Sequence, residues 1–420
     1  MSGGRDGEEL AFVVVGGYEY SPGMNQPSTV TVRELARRYR VLNLNSEAHG
    51  SVLRRLGGRA SHMDAGDVAR TVLGSTRPRR VEERLWVAPV RGLSAIGPLS
   101  VPEAMRRRNV RVFTAVIRRW MADTGVARCV LLFYWWALPE LVSTVPNVAS
   151  IYDCTDEQSA LPGALVPPEI VARLEGRLLD AVDRSYVVSS ALLEHRAGPG
   201  RRISVLPNGF DHAFFQSLER QGFTIPASLH SIPRPIIGYA GGLTTRMDWD
   251  LAHELAGRRP EWSFVFVGGD PRVAPETLRS RHNVFFQESM PYPEALGAIS
   301  CFDVGTIPVR AQRFSRGNSF LKLLDYFAHG IPVVATPLSD TSQVAEDSPG
   351  LLALAGDVDA WEHALERALQ ESPGSALSDA RRSYVRARSV ECRMTRMIGD
   401  ALGESGQPLG SASVAALGGG

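Results

Sequence analysis

The chain has 420 residues, 44% of them hydrophobic and 22% charged, with a net charge of +1. That length supports two domains with separate cores, and the balanced charge gives no global field to recruit nucleic acid or an acidic membrane. Cys129, Cys154, Cys301 and Cys392 stand at no metal-ligand spacing, which argues against structural zinc and for a reducing, cytoplasmic setting.

The polar start "MSGGRDGEEL" lacks the basic beginning and long apolar run of a secretory signal. Leu10 to Gly17, "LAFVVVGG", reads as a buried parallel strand ending in a tight turn, with Gly17 on the acceptor side of any cleft. "PSTVTVRELARRY" has helical spacing and "RVLNLN" is a strand, which completes a βαβ unit. The alternation continues with strand "RLWVAPV", the long helix "VPEAMRRRNVRVFTAVIRRWMADTG" and strand "ARCVLLFYW". "VASIYDCTD", "RSYVVSS" and "RISVLPNG" are further strands, with helices "PEIVARLEGRLLDAVD" and "ALLEHRA" between them. No apolar stretch, "CVLLFYWWAL" included, reaches the ~20 residues of a membrane span, so any membrane contact would be peripheral. The basic helix with Arg106, Arg107, Arg108, Arg111, Arg118 and Arg119 fits either an anionic surface or a solvated outer face.

Residues 1–215 form the expected first domain, and 216–234, which lose this periodicity, the linker. The pattern then restarts for a second domain over 235–385. "PIIGYAGG", "WSFVFVGG", "NVFFQES", "CFDVGTIPV" and "IPVVAT" are strands. "DWDLAHELAGRR", "PYPEALGAIS" and "SFLKLLDYFAHG" are helices, and two more cover Asp357–Glu371 and about Leu377–Leu402. The last, over 386–404, is expected to cross back to the first domain, ahead of a low-complexity tail over 405–420. The fold class is therefore α/β: two Rossmann-like, doubly wound domains facing across a cleft, with ligands at the carboxyl ends of the strands.

Two segments carry chemistry. Gly241 and Gly242 follow a strand, where backbone amides can approach an anion; Arg246 lies in the same loop. Lys322 is the only lysine in a chain with 46 Lys and Arg together. It follows the polar loop "FSRGNS", with Asn318 or Ser319 suited to cap the helix. Leu321, Leu324, Phe327 and Ala328 form an inward stripe, and Lys322 and Asp325, three apart, share another face. The helix start offers amides and an ammonium to a diphosphate, and Asp325 offers acceptors to a ribose diol. The competing reading is a solvated Lys–Asp pair worth a few tenths of a kcal/mol.

"NSFLKLLDYFAHGIPVVATPL" resembles the nucleotide-sugar signature of GT-B glycosyltransferases, retaining family 4 (glycosyl transferases group 1), in a subgroup with Lys-x-x-acid-Tyr. "IIGYAGGLTTRMDWDLAHELAGRRPEWSFVFVGG", "NVFFQE", "CFDVGTIPV", "IYDCTDE" and "SVLPNGFDHAFF" match further blocks in order. The resemblance implies a hexosyl-type transfer from a UDP-, GDP- or TDP-sugar to an acceptor hydroxyl. Lys322, Arg246 and Asp153 are the implied catalytic residues. Gly241, Gly242, Asn318, Ser319 and Phe320 would meet the diphosphate, Asp325 the ribose, and Gly268 and Gly269 the nucleobase pocket. Two departures stand out. Eight residues before Asp325, where the family often has a glutamate, stands Gly317, and Tyr152-Asp153 replaces a His-Asp pair. Asp153 or Asp156 is then expected in the cleft, with strand-end capping the alternative. Trp135 in "FYWWALPE" reads equally as cleft edge or as core.

No Asp-x-Asp pair suits a metal-bridged diphosphate, so no metal and no cofactor beyond the nucleotide-sugar co-substrate are expected. The acceptor is a carbohydrate, a lipid-linked sugar or a small molecule, and nucleic acid is not a partner. A nucleotide-sugar epimerase and a non-catalytic partner of another transferase are the competing readings. A dinucleotide oxidoreductase is disfavoured, since no strand is followed by G-x-G-x-x-G.

Overall fold

In the computed structural model, residues 10–17, 20, 24–45, 77–89, 103–160, 166–310 and 320–403 are described. Gly317, Asn318, Ser319 and the tail over 405–420 lie outside them.

The apolar β-branched runs become the central strands of two sheets. The first has the order β3-β4-β2-β1-β5-β6-β7-β8. Its strands are β1 Ala11–Gly17, β2 Arg40–Asn45, β3 Arg79–Glu82, β4 Leu85–Pro89, β5 Cys129–Phe133, β6 Asn147–Cys154, β7 Arg184–Val187 and β8 Ile203–Val205. Only β3 is antiparallel, as an edge hairpin on β4. Both faces are covered, so β1 buries every residue from Ala11 to Val15. Val13, Val15 and Leu42 point to a layer with Phe113, Ile117 and Trp120 of α2 (Glu103–Thr124) and Leu174 and Leu178 of α3 (Pro168–Ala181). Phe12, Val14 and Val41 point to the other layer, with Val30 and Leu35 of α1 (Pro27–Ala36).

The second sheet is wholly parallel, in the order β11-β10-β9-β12-β13-β14. Its strands are β9 Ile236–Ala240, β10 Ser263–Val267, β11 Val284–Gln287, β12 Val304–Ile307, β13 Val333–Ala335 and β14 Leu352–Leu354. Strand order reverses beside β1 in one sheet and beside β9 in the other, which makes their carboxyl ends the natural ligand positions.

The domain junction departs from the linker expected from residue 216. Helix α4 (His212–Gln221) occupies its start, capped by the Asp211 side chain, which accepts from the Phe214 N–H. Phe215 on α4 buries against Phe210 and Phe223. The single helix expected over 377–402 is two, broken where Ser389 caps the second. The break lets the chain cross domains beside its first crossing. Phe210 N–H donates to Arg388 O at 3.0 Å and Val390 N–H to Phe210 O at 2.9 Å. A Cβ on Gly209 would lie 2.6 Å from Val390 Cα, so only glycine allows the two strands this close. The final helix then packs on α1 and β6 of the first domain. Among the described residues no helix is long and apolar enough to cross a membrane.

Candidate active site in the interdomain cleft

A cleft of about 300 Å³ opens between the carboxyl ends of the two sheets. Its second-domain wall is built from the loop after β9 and from helix α7 (Leu321–His329). Gly241 has φ of 144°, a conformation L side chains rarely adopt. Its N–H donates to Val267 O at 2.9 Å, and Leu243 N–H donates to Gly268 O at 3.0 Å. A Cβ on Gly241 would sit 2.8 Å from Lys322 Cε, and one on Gly268 would sit 2.8 Å from Gly241 O. The two glycines therefore serve one purpose in sequence. Gly268 lets β10 back the loop, and Gly241 lets Lys322 pass over it. Gly269 likewise faces Leu243, so Gly268 and Gly269 brace the loop from behind.

Lys322 stands in the first turn of α7. Phe320 is the residue at the cap, without a side-chain bond; its N–H is taken by Asp340 at 2.8 Å. Lys322 Nζ donates to Tyr239 Oη at 3.0 Å and lies 4.5 Å from the Tyr239 ring centroid. Tyr239 in turn donates to Gly242 O at 3.2 Å. Among the described residues Lys322 makes no ion pair, so ammonium protons remain for a cleft ligand.

Asp325 is buried, with 6% of its surface exposed, which removes the solvated-pair reading. Tyr292, at the start of α6 (Tyr292–Ile299), donates its hydroxyl to Asp325 Oδ1 at 2.6 Å. Burial pushes the Asp325 carboxyl up to about 7, with the Tyr292 bond and the Lys322 charge pulling against it. Tyr326, next along the helix, accepts from Ala240 N–H at 2.9 Å and ties α7 to β9.

The first-domain wall carries Asn25, Gln26, Thr155, Asp156 and Asn208. Asp156 faces the cleft; burial raises its carboxyl to about 6, and the Arg246 charge opposite lowers it. Arg246 lines the same cleft from the second domain, its Nε 3.4 Å from Thr244 Oγ1. The loop that presents Asp156 is braced behind by Arg196, which meets Glu157 at 3.1 and 3.2 Å and Glu175 at 3.0 Å.

Two expected residues, Asp153 and Trp135, are placed elsewhere. Asp153 is fully buried and binds Arg393 of the final helix, α11 (Val390–Leu402), through two 2.7 Å bonds. It locks that helix to β6 and does not reach the cleft. Trp135 is in the core, 5.9 Å from the Trp136 ring, and would clash with any side chain at Gly16. Gly17 ends β1 opposite Asn45. Sequence reading missed Tyr239 and Tyr292. The one available signal is an aromatic residue directly flanking each glycine loop or helix start, and it is shared by many core positions.

Residues 234–371, the greater part of the second domain, match the family model described as Glycosyl transferases group 1. A Bacillus subtilis (strain 168) protein named for teichuronic acid biosynthesis, the glycosyltransferase TuaH, is 23% identical over 284 residues, 64% of this chain and 71% of its own. Solved structures share the fold at lower identity. Sucrose-phosphate synthase of Thermosynechococcus elongatus is 14% identical with a TM-score of 0.64, over 94% of this chain and all of its own. The E. coli trehalose-6-phosphate structure bound with UDP-2-fluoro glucose gives 10% and 0.62, over 93% and 99%. A Burkholderia xenovorans trehalose-phosphate synthase (UDP-forming), in complex with glucose-6-phosphate, gives 12% and 0.60, over 94% and 99%.

Proposed function

We propose that this chain, a glycosyltransferase of GT-B architecture, moves a sugar from a nucleotide-sugar donor to an acceptor hydroxyl, with retention and without a metal ion. The observation that carries the reading is one helix face. Lys322 and the first amides of α7 stand at the phosphate end, and the buried Asp325 carboxylate, with its Tyr292 partner, stands one turn on. A cation and oriented amides stabilise the departing diphosphate, a preorganised contribution that removes the need for a bridging metal. Arg246 adds a second cation at the same wall. The reacting carbon loses its bond to the diphosphate as it gains the acceptor oxygen on the same face, and the acceptor's hydroxyl proton passes to the departing phosphate oxygen. Retention itself rests on the family 4 resemblance. The reading is supported by two of the solved structures named above, one holding a UDP-sugar analogue and the other a phosphorylated sugar. The first-domain wall, with three side-chain amides, a hydroxyl and Asp156 opposite Arg246, suits hydroxyl groups of a carbohydrate acceptor. The teichuronic acid relative favours an acceptor in polysaccharide synthesis.

A thermal-shift screen with UDP-, GDP-, TDP- and ADP-sugars tests the assignment. One nucleotide class should raise the melting temperature by mass action, and EDTA should leave both binding and turnover unchanged. No shift with any donor refutes the reading; turnover lost to EDTA and restored by Mn²⁺ refutes the metal-free part.

Asp325 adds a pH signature. A ribose diol needs the ionised carboxylate as acceptor, so donor affinity should rise roughly tenfold from pH 6 to pH 8. The ligand-free fold should respond with the opposite sign. An acid raised from 3.8 to about 7 binds more protons folded than unfolded in that window, so stability falls as pH rises through it. Asp156, raised to about 6, contributes in the same direction. Asp325→Asn should abolish the affinity step and raise the ligand-free melting temperature at pH 8 by ~2 °C or more. An unchanged affinity profile in that variant refutes the assignment of Asp325.

A further inference from the structure

Tyr292 joins the ribose end of the cleft to the junction between the domains. Its hydroxyl donates to Asp325 Oδ1 at 2.6 Å. Its ring stacks on Phe214, with centroids 5.9 Å apart and planes 13° from parallel. Phe214 also carries the Arg33 guanidinium, 4.6 Å from its centroid. These three residues come from three bodies: α1 of the first domain, the connecting helix α4, and α6 of the second domain. The first domain also fixes the start of α4. Asp211, which caps it, is paired with Arg33 at 3.1 Å and Arg37 at 3.3 Å, and accepts from the Phe214 N–H at 3.0 Å.

We propose that Tyr292 is a positioning residue for Asp325, and that the Arg33–Phe214 stack across the domain junction sets Tyr292. This deepens the reading that Asp325 takes the ribose hydroxyls, and rests on it. A carboxyl group rotates easily about its last torsion. A short bond to Oδ1 fixes its plane and leaves Oδ2 and the remaining lone pairs for a diol. The bond also favours the ionised form in a site whose burial disfavours it. The other groups around the carboxylate do not replace it. Lys322, on the same helix, is engaged with Tyr239, and the Tyr326 hydroxyl donates to Thr306 O at 3.3 Å. From the first domain, the Arg33 and Asp211 charges act on the Tyr292 hydroxyl, which is the group bonded to Asp325. The ribose acceptor is therefore preorganised only while the two domains keep this alignment.

The test is calorimetric binding of UDP, GDP, TDP and ADP to the full chain between pH 6 and pH 9. Tyr292→Phe keeps the ring stack and deletes the hydroxyl. It should bind the preferred nucleotide roughly tenfold more weakly at pH 7, with the acid limb of binding moved to higher pH. In turnover, KM for the donor should rise more than kcat falls. Arg33→Met, remote from the ligand, should weaken binding in the same direction and move the same limb. The double variant should show little further loss, since both changes release one carboxylate. Wild-type affinity and an unmoved limb in Tyr292→Phe overturn the positioning role. Independent, additive losses overturn the relay through Phe214, and Arg33→Met tests that relay even if Tyr292→Phe proves unstable. A wild-type chain that binds none of the four nucleotides removes the donor reading and this proposal with it.

Discussion

Lys322→Arg should lower kcat/KM by ~10²-fold or more while leaving the melting temperature within a degree or two of wild type. The charge is kept, so the loss must come from shape. Lys322 Nζ sits 4.5 Å from the Tyr239 centroid and 5.6 Å from that of Phe320, and its stem passes against Gly241. An ammonium is compact and can turn its free protons to a phosphate from this slot. A guanidinium is longer and planar, and needs room for a fork. That room would have to come from the loop over residues 241–243, which is held to β10 by the Gly241 and Leu243 amides. Steady-state kinetics with the donor found by screening, together with a melting curve, check this. Near-normal turnover in Lys322→Arg would return the residue to the status of an ordinary cation at a cleft edge. Lys322→Met separates the two contributions, since it removes the charge but fits the slot; it should lose at least as much activity.

Arg393→Ala should destabilise the fold by about 3–5 kcal/mol, because it leaves the fully buried Asp153 carboxylate without a counter-charge. Chemical denaturation measures it. Asp153→Ala should cost a similar amount for the mirror reason, with Arg393 left at 5% side-chain exposure. Replacing both residues by apolar ones of similar size should recover most of the loss, as a pair removed together leaves no orphan charge. A catalytic aspartate behaves differently: its loss abolishes turnover and leaves stability intact. If Asp153→Ala keeps its stability and loses only kcat, the ion-pair account is wrong. Reduced turnover is expected in the single variants as well, because α11 binds across β6 and its release frees the second domain crossing at Phe210 and Val390.

Much of this protein is legible before any coordinates. The alternation of β-branched runs with helical periods, and the glycines that end the first strand of each half, set out two mostly parallel sheets, short of the edge strands β3 and β14. The same local patterning placed Lys322 and Asp325 three residues apart at the start of one helix, which is enough to put them on one face. Even where the reading went astray, some of the information was local. Asp211 at a cap position, Phe215 and Leu218 three apart and Gly222 at the end describe the helix found in place of a linker.

What the sequence did not carry is which buried group each side chain meets. Asp153 and Asp156 are two acidic residues at the end of one strand, three positions apart. One faces a helix that returns from position 393, and the other faces Arg246 across the cleft. Nothing within ten residues of either distinguishes them. Trp135 and Tyr239 are likewise aromatic residues near the carboxyl ends of central strands, yet one is core and the other carries the lysine. Backbone hydrogen bonding and periodic burial act over a few residues, so the sequence by itself determined most of the elements, their succession along the chain and the face on which Lys322 and Asp325 lie. Pairing a buried charge requires a partner from a distant segment, so only the tertiary structure decided that Asp153 is a lock, that Asp156 is a cleft carboxylate, and that Tyr292 holds Asp325.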